Sequence, residues 1–290
     1  LPKLLIANDL TFLTFFVVKP EIRNGFLVKS ATLFSMLKVA TASLSLMEKG
    51  RRVSQALYGW DVKILEKRGD QVLIQTAHEQ GLVDPSCLKE GKIQNPFVVI
   101  GDLWANIYPI ADVEEPAILS LPLGAKVELV SSREFWHQVK LIDGQTGYLH
   151  TSCSCSVDPE MFLEKAVGTE YLWGGVTLGR GAGIGIDCSG LLLRYADLKT
   201  GVKLPHSMHK IAHHPLLTSV DQPEEGDFLF FWQSGRATHG GIYLGQNRCI
   251  QAGGSRWSAR VSIEKVEKRH YDGLTFARLS RAPAAQAPFS

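Results

Sequence analysis

The sequence has little of what marks a chain built around charge, a membrane or a disulfide framework. Its 31 basic and 29 acidic residues leave a formal net charge of +2, too weak a field to hold nucleic acid or an anionic membrane surface. No basic stripe is interleaved with aromatics, so nucleic acid is not an expected partner. Five cysteines, Cys87, Cys153, Cys155, Cys188 and Cys249, make an odd count. That excludes a fully paired framework and favours free thiols in a reducing compartment, hence the cytoplasm over the periplasm or cell envelope. Cys153-Ser-Cys155 is spaced too tightly for a zinc knuckle and has no second pair, so neither a metal nor another cofactor is expected. The apolar stretch from Leu4 to Val18 is broken by Asn8 and Asp9 and is too short for a transmembrane span. Ala31 to Ala40, followed by Thr41-Ala42, imitates a signal peptide but carries Lys38 inside its apolar region. Residues 1–35 are therefore an N-terminal extension that a leader, an upstream segment or a partner-packed segment would each explain. Nothing in the sequence fixes an oligomeric state.

What the chain does have is apolar material in short periods. With 45% hydrophobic residues in 290 it can bury a substantial core and is long enough for two or three domains. Asp61-Val62-Lys63-Ile64-Leu65-Glu66 alternates as a half-buried strand does. A turn at Lys67-Arg68-Gly69-Asp70, a strand at Gln71-Val72-Leu73-Ile74-Gln75 and then Gly81-Leu82-Val83 follow. The unit recurs as Leu121-Pro122-Leu123-Gly124-Ala125-Lys126-Val127, then Phe135-Trp136-His137-Gln138-Val139, then Gly147-Tyr148-Leu149. Both copies resemble bacterial Src-homology-3-type small β-barrels, expected over 36–92 and 96–156. In the first copy, Gln71 replaces the usual tryptophan and Leu82 the usual aromatic. Trp136 and Tyr148 would either fill their barrel or line a groove, and filling is the preferred reading.

Residues 171–190 carry the chemistry. Asp187 reads as an N-cap, the apolar run Leu191-Leu192-Leu193 with Tyr195, Ala196 and Leu198 as a helix, and Gly201 as its stop. Cys188 therefore opens a helix, where free N–H groups favour a thiolate. A small buried core cysteine would be the bland alternative. Three features weigh against it. The glycine-rich lead-in, Gly174 to Gly185, lets backbone approach closely or turn sharply. Downstream, the buried run Asp227-Phe228-Leu229-Phe230-Phe231-Trp232 precedes a second strand that starts near His239. A third strand, Arg248-Cys249-Ile250-Gln251-Ala252, then sets a polar Gln251 among apolar neighbours. A thiol, a base and a group to fix the base's ring form the set a thiol hydrolase needs. His206, His209, His213 and His214 make a further cluster. His209 and His213 share a helical face, but with no carboxylate motif beside them the cluster is read as solvated or at a substrate rim.

Tyr171-x-Trp-Gly-Gly, Asp187-Cys188-Ser189-Gly190, Gly226-Asp227 before an apolar strand and His239-x-Gly-Ile-Tyr-x-Gly together resemble the NlpC family of papain-like cell-wall cysteine peptidases. The resemblance covers roughly the last 125 residues, one domain's worth. It implies an α+β fold: a papain-like catalytic domain over 158–281, with N-terminal helices packed on an antiparallel sheet, preceded by the two small β-barrels. An Ala- and Pro-rich tail, 282–290, follows. It also implies that Cys188 is the nucleophile, His239 the base and Gln251 the orienting group, where the family commonly has a second histidine. An amide oxygen can still accept from imidazole N–H. The segment between Gly175 and Asp187 is a few residues longer than the family's.

On the substrate side, the resemblance implies Tyr171 as an oxyanion donor, with Asp187 and Ser189 holding the free amino end of L-alanine. Capping of the helix by Asp187, with Ser189 bonded in its first turn, is an equal alternative. The implied partners are peptidoglycan stem peptides or muropeptides. The implied reaction is hydrolysis of the γ-D-glutamyl–diamino acid bond, in wall remodelling or muropeptide recycling. A non-catalytic peptidoglycan-binding adaptor and an N-acetylmuramoyl-L-alanine amidase are the alternatives.

Overall fold

The computed structural model describes residues 37–253, 259–268 and 270–281, together with a short hairpin that pairs Ile22–Arg23 with Phe26–Leu27. The hairpin belongs to a separate unit, Leu1–Phe34. The readings of residues 1–35 as a leader or extension and of 282–290 as a tail lie outside the described residues. No helix among the described residues is long and apolar enough to cross a membrane.

Three antiparallel sheets follow one another in the remaining unit. The first has seven strands within residues 37–90, and alternation sends Leu44, Leu46, Val62, Val72, Ile74 and Val83 into its core. The second has six strands within residues 97–150, around Ile100, Ile107, Leu121, Val127, Val139 and Leu149. The glycine closing each copy of the repeat is fixed by close approach. A Cβ on Gly81 would lie 2.7 Å from Leu46 Cβ, and one on Gly147 would lie 2.5 Å from Ile107 Cγ2. Trp136 does not fill its sheet's core. Strand alternation turns Val139 inward and leaves Trp136 half-buried on the other side, edge-on to Tyr108 at 5.9 Å and His150 at 5.3 Å.

The third sheet has six strands in the order Leu217–Val220, Gly273–Leu279, Phe228–Gln233, Arg236–Tyr243, Arg248–Gly253, Arg260–Lys265. Helices α1 (Pro159–Ala166), α2 (Cys188–Thr200) and α3 (Met208–Ala212) precede it in the chain. Its Phe228–Gln233 strand is apolar on both faces because both are covered. Phe228 and Phe230 meet Leu191, Leu192 and Tyr195 of α2, whereas Leu229 and Phe231 join Cys249 and Val266 opposite. α1 begins at Pro159. Asp158 caps it by accepting the Met161 N–H at 2.8 Å, and proline suits a first helical position. α2 begins at Cys188 as read, and ends at Gly201 in the left-handed region, φ 73°.

The N-terminal sheets are fastened to the helices by polar side chains. Leu57 and Leu123 enter the α2 core. Gln55, 1% exposed, accepts from the Val176 N–H at 3.1 Å and donates to the Gly183 carbonyl at 2.8 Å. Trp104 donates to the Leu178 carbonyl at 2.9 Å. From the other side, buried Arg194 of α2 donates to the carbonyls of Val176 and Leu123, both at 2.9 Å, and its pKa is lowered to about 10 by burial. The glycine-rich segment is thus gripped from both N-terminal sheets. His78 of the first sheet donates from Nδ1 to the Leu204 carbonyl at 2.7 Å.

Gln55→Ala strands the buried Val176 N–H, while the exposed Gly183 carbonyl regains water. It is expected to lower unfolding free energy by about 1–3 kcal/mol, as read by urea denaturation. His78 adds a pH dependence. Burial lowers its pKa to about 4, against the opposing bond to Leu204 and the charge of Asp197, with Lys203 and His206 adding to the lowering. The unfolded chain takes up this proton near 6.5, so between pH 6.5 and 4 the unfolded state binds more protons and stability falls as pH falls. The loss expected is up to about 3 kcal/mol. His78→Asn, which cannot titrate, should flatten that slope, and an unchanged slope would remove His78 as its source.

Candidate active site

Asp187 is placed by the chain's entry into α2 and gathers four donors. Its Oδ1 accepts from the Gly190 N–H at 2.7 Å, the Ser189 hydroxyl at 2.8 Å and His206 Nε2 at 3.1 Å, and its Oδ2 accepts from the Gly174 N–H at 2.7 Å. Burial alone would raise its pKa, but His206, the Gly190 N–H and Ser189 outweigh burial and hold it below the usual carboxylate range. Three of the four donors fall on Oδ1 and one on Oδ2, so Oδ2 keeps an acceptor site. Of the two positions the sequence left open for His206, solvated or at a substrate rim, the solvated one does not hold. His206 is buried, and its Nδ1 lies 2.7 Å from Ser54 Oγ of the first sheet.

Cys188, 8% exposed, opens α2 against the strand that carries His239. A Cβ on Gly190 would meet the Gly175 carbonyl at 2.1 Å, so the turn closes only with glycine there. Backbone N–H groups of Ser189, of Cys188 itself and of Gly240, the residue after His239, act to lower the thiol's pKa. Burial and the neighbouring Asp187 charge push the thiol's pKa up, beyond what those N–H groups recover. The helix start is already occupied by its own capping carboxylate, so a base has to take the proton.

His239 lies opposite Phe231 in the sheet, its ring stacked on Phe231 at 5.6 Å and Tyr271 at 6.3 Å. Its Nε2 is 2.7 Å from Gln251 Oε1. A carbonyl oxygen only accepts, so Nε2 carries the hydrogen. Gln251 sits on the adjacent strand, paired with Gly241. A Cβ on Gly241 would come 3.1 Å from Gln251 Cβ. The amide of Gln251 donates in turn to Glu264 Oε2 at 3.0 Å, and the Ser262 hydroxyl donates to Glu264 Oε1 at 2.8 Å. Sequence reasoning missed Glu264 and Ser54. The alternation in Arg260–Lys265 puts Ser262 and Glu264 on one face, but only the strand register brings them to Gln251.

Tyr171 is half-buried. Its hydroxyl is held protonated by burial and by the negative charge that Cys188 and Asp187 carry when ionised. Trp173 stands 69% exposed at the rim. Beside it, a Cβ on Gly174 would meet Arg52 Cγ at 3.1 Å and Ser54 N at 3.2 Å, so the first sheet forms a wall there. His209 and His213 lie edge-on to Trp232 at 6.4 and 5.6 Å. His213 donates from Nδ1 to the His209 carbonyl at 2.8 Å. Among the described residues, no three His, Cys, Asp or Glu side chains are placed to hold a metal ion. Cys249 is buried in the sheet's other core cluster.

The NlpC/P60 family profile matches residues 168–278. A protein of Mycobacterium tuberculosis named a probable endopeptidase is 36% identical over 86 residues, 30% of this chain and 20% of that protein. The chain thus spans a fifth of the length of the mycobacterial relatives it matches. A gamma-D-glutamyl-L-lysine dipeptidyl-peptidase of Bacillus cereus is 23% identical over 250 residues, 73% of this chain and 72% of that one. The crystal structure of an NlpC/P60 family protein from Bacillus cereus superposes with TM-score 0.68 at 17% identity, covering 84% of this chain and 99% of that chain. With the fold shared and the profile spanning the Cys188 helix, the His239 strand and Gln251, residues 168–278 are an NlpC/P60 family domain.

Proposed function

We propose that the chain is a cysteine peptidase that hydrolyses the γ-D-glutamyl–diamino acid bond of peptidoglycan stem peptides. The carrying observation is that Cys188 opens α2, which packs on the strand that carries His239, and that the Nε2 of His239 is tied to Gln251. The name of the Bacillus cereus relative, which specifies a γ-D-glutamyl bond, supports the choice of bond. We read the helices followed by the antiparallel sheet as papain-like, and the two N-terminal sheets as Src-homology-3-type barrels.

His239 takes the Cys188 proton at Nδ1, since Nε2 already holds one. The sulfur adds to the carbonyl, and the oxyanion faces the Cys188 N–H and the Tyr171 hydroxyl. The protonated imidazole then gives its proton to the leaving amine. Water, deprotonated by the same nitrogen, cleaves the thioester and restores the thiol. Asp187 caps α2 and, through the acceptor site left on Oδ2, joins the Ser189 oxygen in holding the substrate's free amino end. The wall at Arg52 and Ser54 leaves little room for a glycan beyond that end.

Cys188→Ala should abolish cleavage of L-Ala-γ-D-Glu-diaminopimelate while the melting temperature stays that of the parent. Wild-type cleavage in this variant would reject the nucleophile. Stem binding with no cleavage by the parent protein would point to an adaptor, and release of muramic acid from L-alanine would point to an amidase. The free tripeptide should be cut at least about tenfold faster than its N-acylated form, measured as kcat/KM. Equal rates would discard the closed amino end.

A further inference from the structure

We propose that Glu264 is a positioning residue for this reaction: it sets which face of the Gln251 amide meets His239, and so which imidazole nitrogen acts as the base. The inference rests on the reading of Cys188 and His239 as nucleophile and base. A glutamine amide is nearly symmetric in shape but not in chemistry, and either end could meet the ring. With its NH2 toward His239, the amide would require an unprotonated Nε2. The proton would then sit on Nδ1, the nitrogen that has to receive the one from Cys188. A carboxylate at 3.0 Å on the far side forbids that flip, because it only accepts and would face the amide oxygen. Ser262, donating to the other carboxylate oxygen at 2.8 Å, holds Glu264 in this pose. The arrangement also lays a negative charge one amide beyond the imidazole. A neutral orienting residue thereby gains part of the support that a carboxylate gives an imidazolium.

The same face of the sheet carries Tyr271 and Cys249, with His270 stacked on Tyr271 at 4.4 Å. These groups are common to the parent and to any Glu264 variant, so a difference between them isolates Glu264.

The test is Glu264→Ala and Glu264→Gln in the full chain, assayed for stem-peptide cleavage and for the rate of Cys188 alkylation by iodoacetamide against pH. Glutamine keeps an acceptor for the Gln251 amide but removes the charge. The order expected is parent, then Glu264→Gln, then Glu264→Ala. The alanine variant should lose about tenfold or more in kcat, with KM little changed. Its alkylation rate at pH 6 should fall, with the rise moving toward the alkaline range of an unpaired thiol. The nitrogen-15 spectrum of His239 should show the Nε2–H tautomer in the parent and a gain of Nδ1–H in Glu264→Ala. Parent-like kcat and alkylation profiles in both variants would overturn the proposal. If Glu264→Ala does not fold, Glu264→Gln decides alone: a severalfold slower alkylation at pH 6 supports the role and an unchanged rate overturns it. A parent protein that neither cleaves nor shows enhanced alkylation near neutrality would instead reject the underlying nucleophile and base.

Discussion

The Asp187 carboxylate is the constraint on which the rest of the site depends. It caps α2 through the Gly190 N–H and fixes the glycine turn through the Gly174 N–H. Through His206 it reaches Ser54 in the first sheet. Four donors around one buried anion leave no alternative arrangement of comparable energy, because losing any of them would strand charge in a dry environment. The position of the Cys188 sulfur follows from that knot. Burial first, and then the charge of the same anion, push the thiol's pKa up.

The other half of the site is built by strand register. His239, Gln251 and Glu264 come from three consecutive strands, and antiparallel pairing places their side chains in a row across one sheet face. Phe231 and Tyr271 stack on the imidazole and keep its plane fixed. The glycines at 240 and 241 let Met208 and Gln251 approach this strand, where a Cβ would collide at 2.8 and 3.1 Å. One side of the site is therefore set by a helix cap and the other by a sheet.

The N-terminal sheets form part of the site's frame. Gln55, Ser54, His78 and Trp104 make hydrogen bonds to the segments on either side of α2, and Arg194 returns two from the helix. Buried polar side chains of this kind cost free energy unless fully partnered, so their pairing fixes one docking geometry where apolar packing alone would allow several.

The sequence by itself determined the elements whose causes are local. Asp187 and Gly201 bracket α2, alternation marks the strands, the repeated closing glycines mark the two N-terminal sheets, and the motif spacing points to Cys188, His239 and Gln251. These signals act over a few residues, through capping, side-chain period and turn sterics. Only the tertiary structure decided that His206 is buried against Ser54, 152 positions away, that Glu264 backs Gln251, and that burial and Asp187 push the Cys188 thiol's pKa up. Each depends on which groups packing brings together and on how much water it removes. Desolvation and long-range hydrogen bonds leave no periodic trace along the chain.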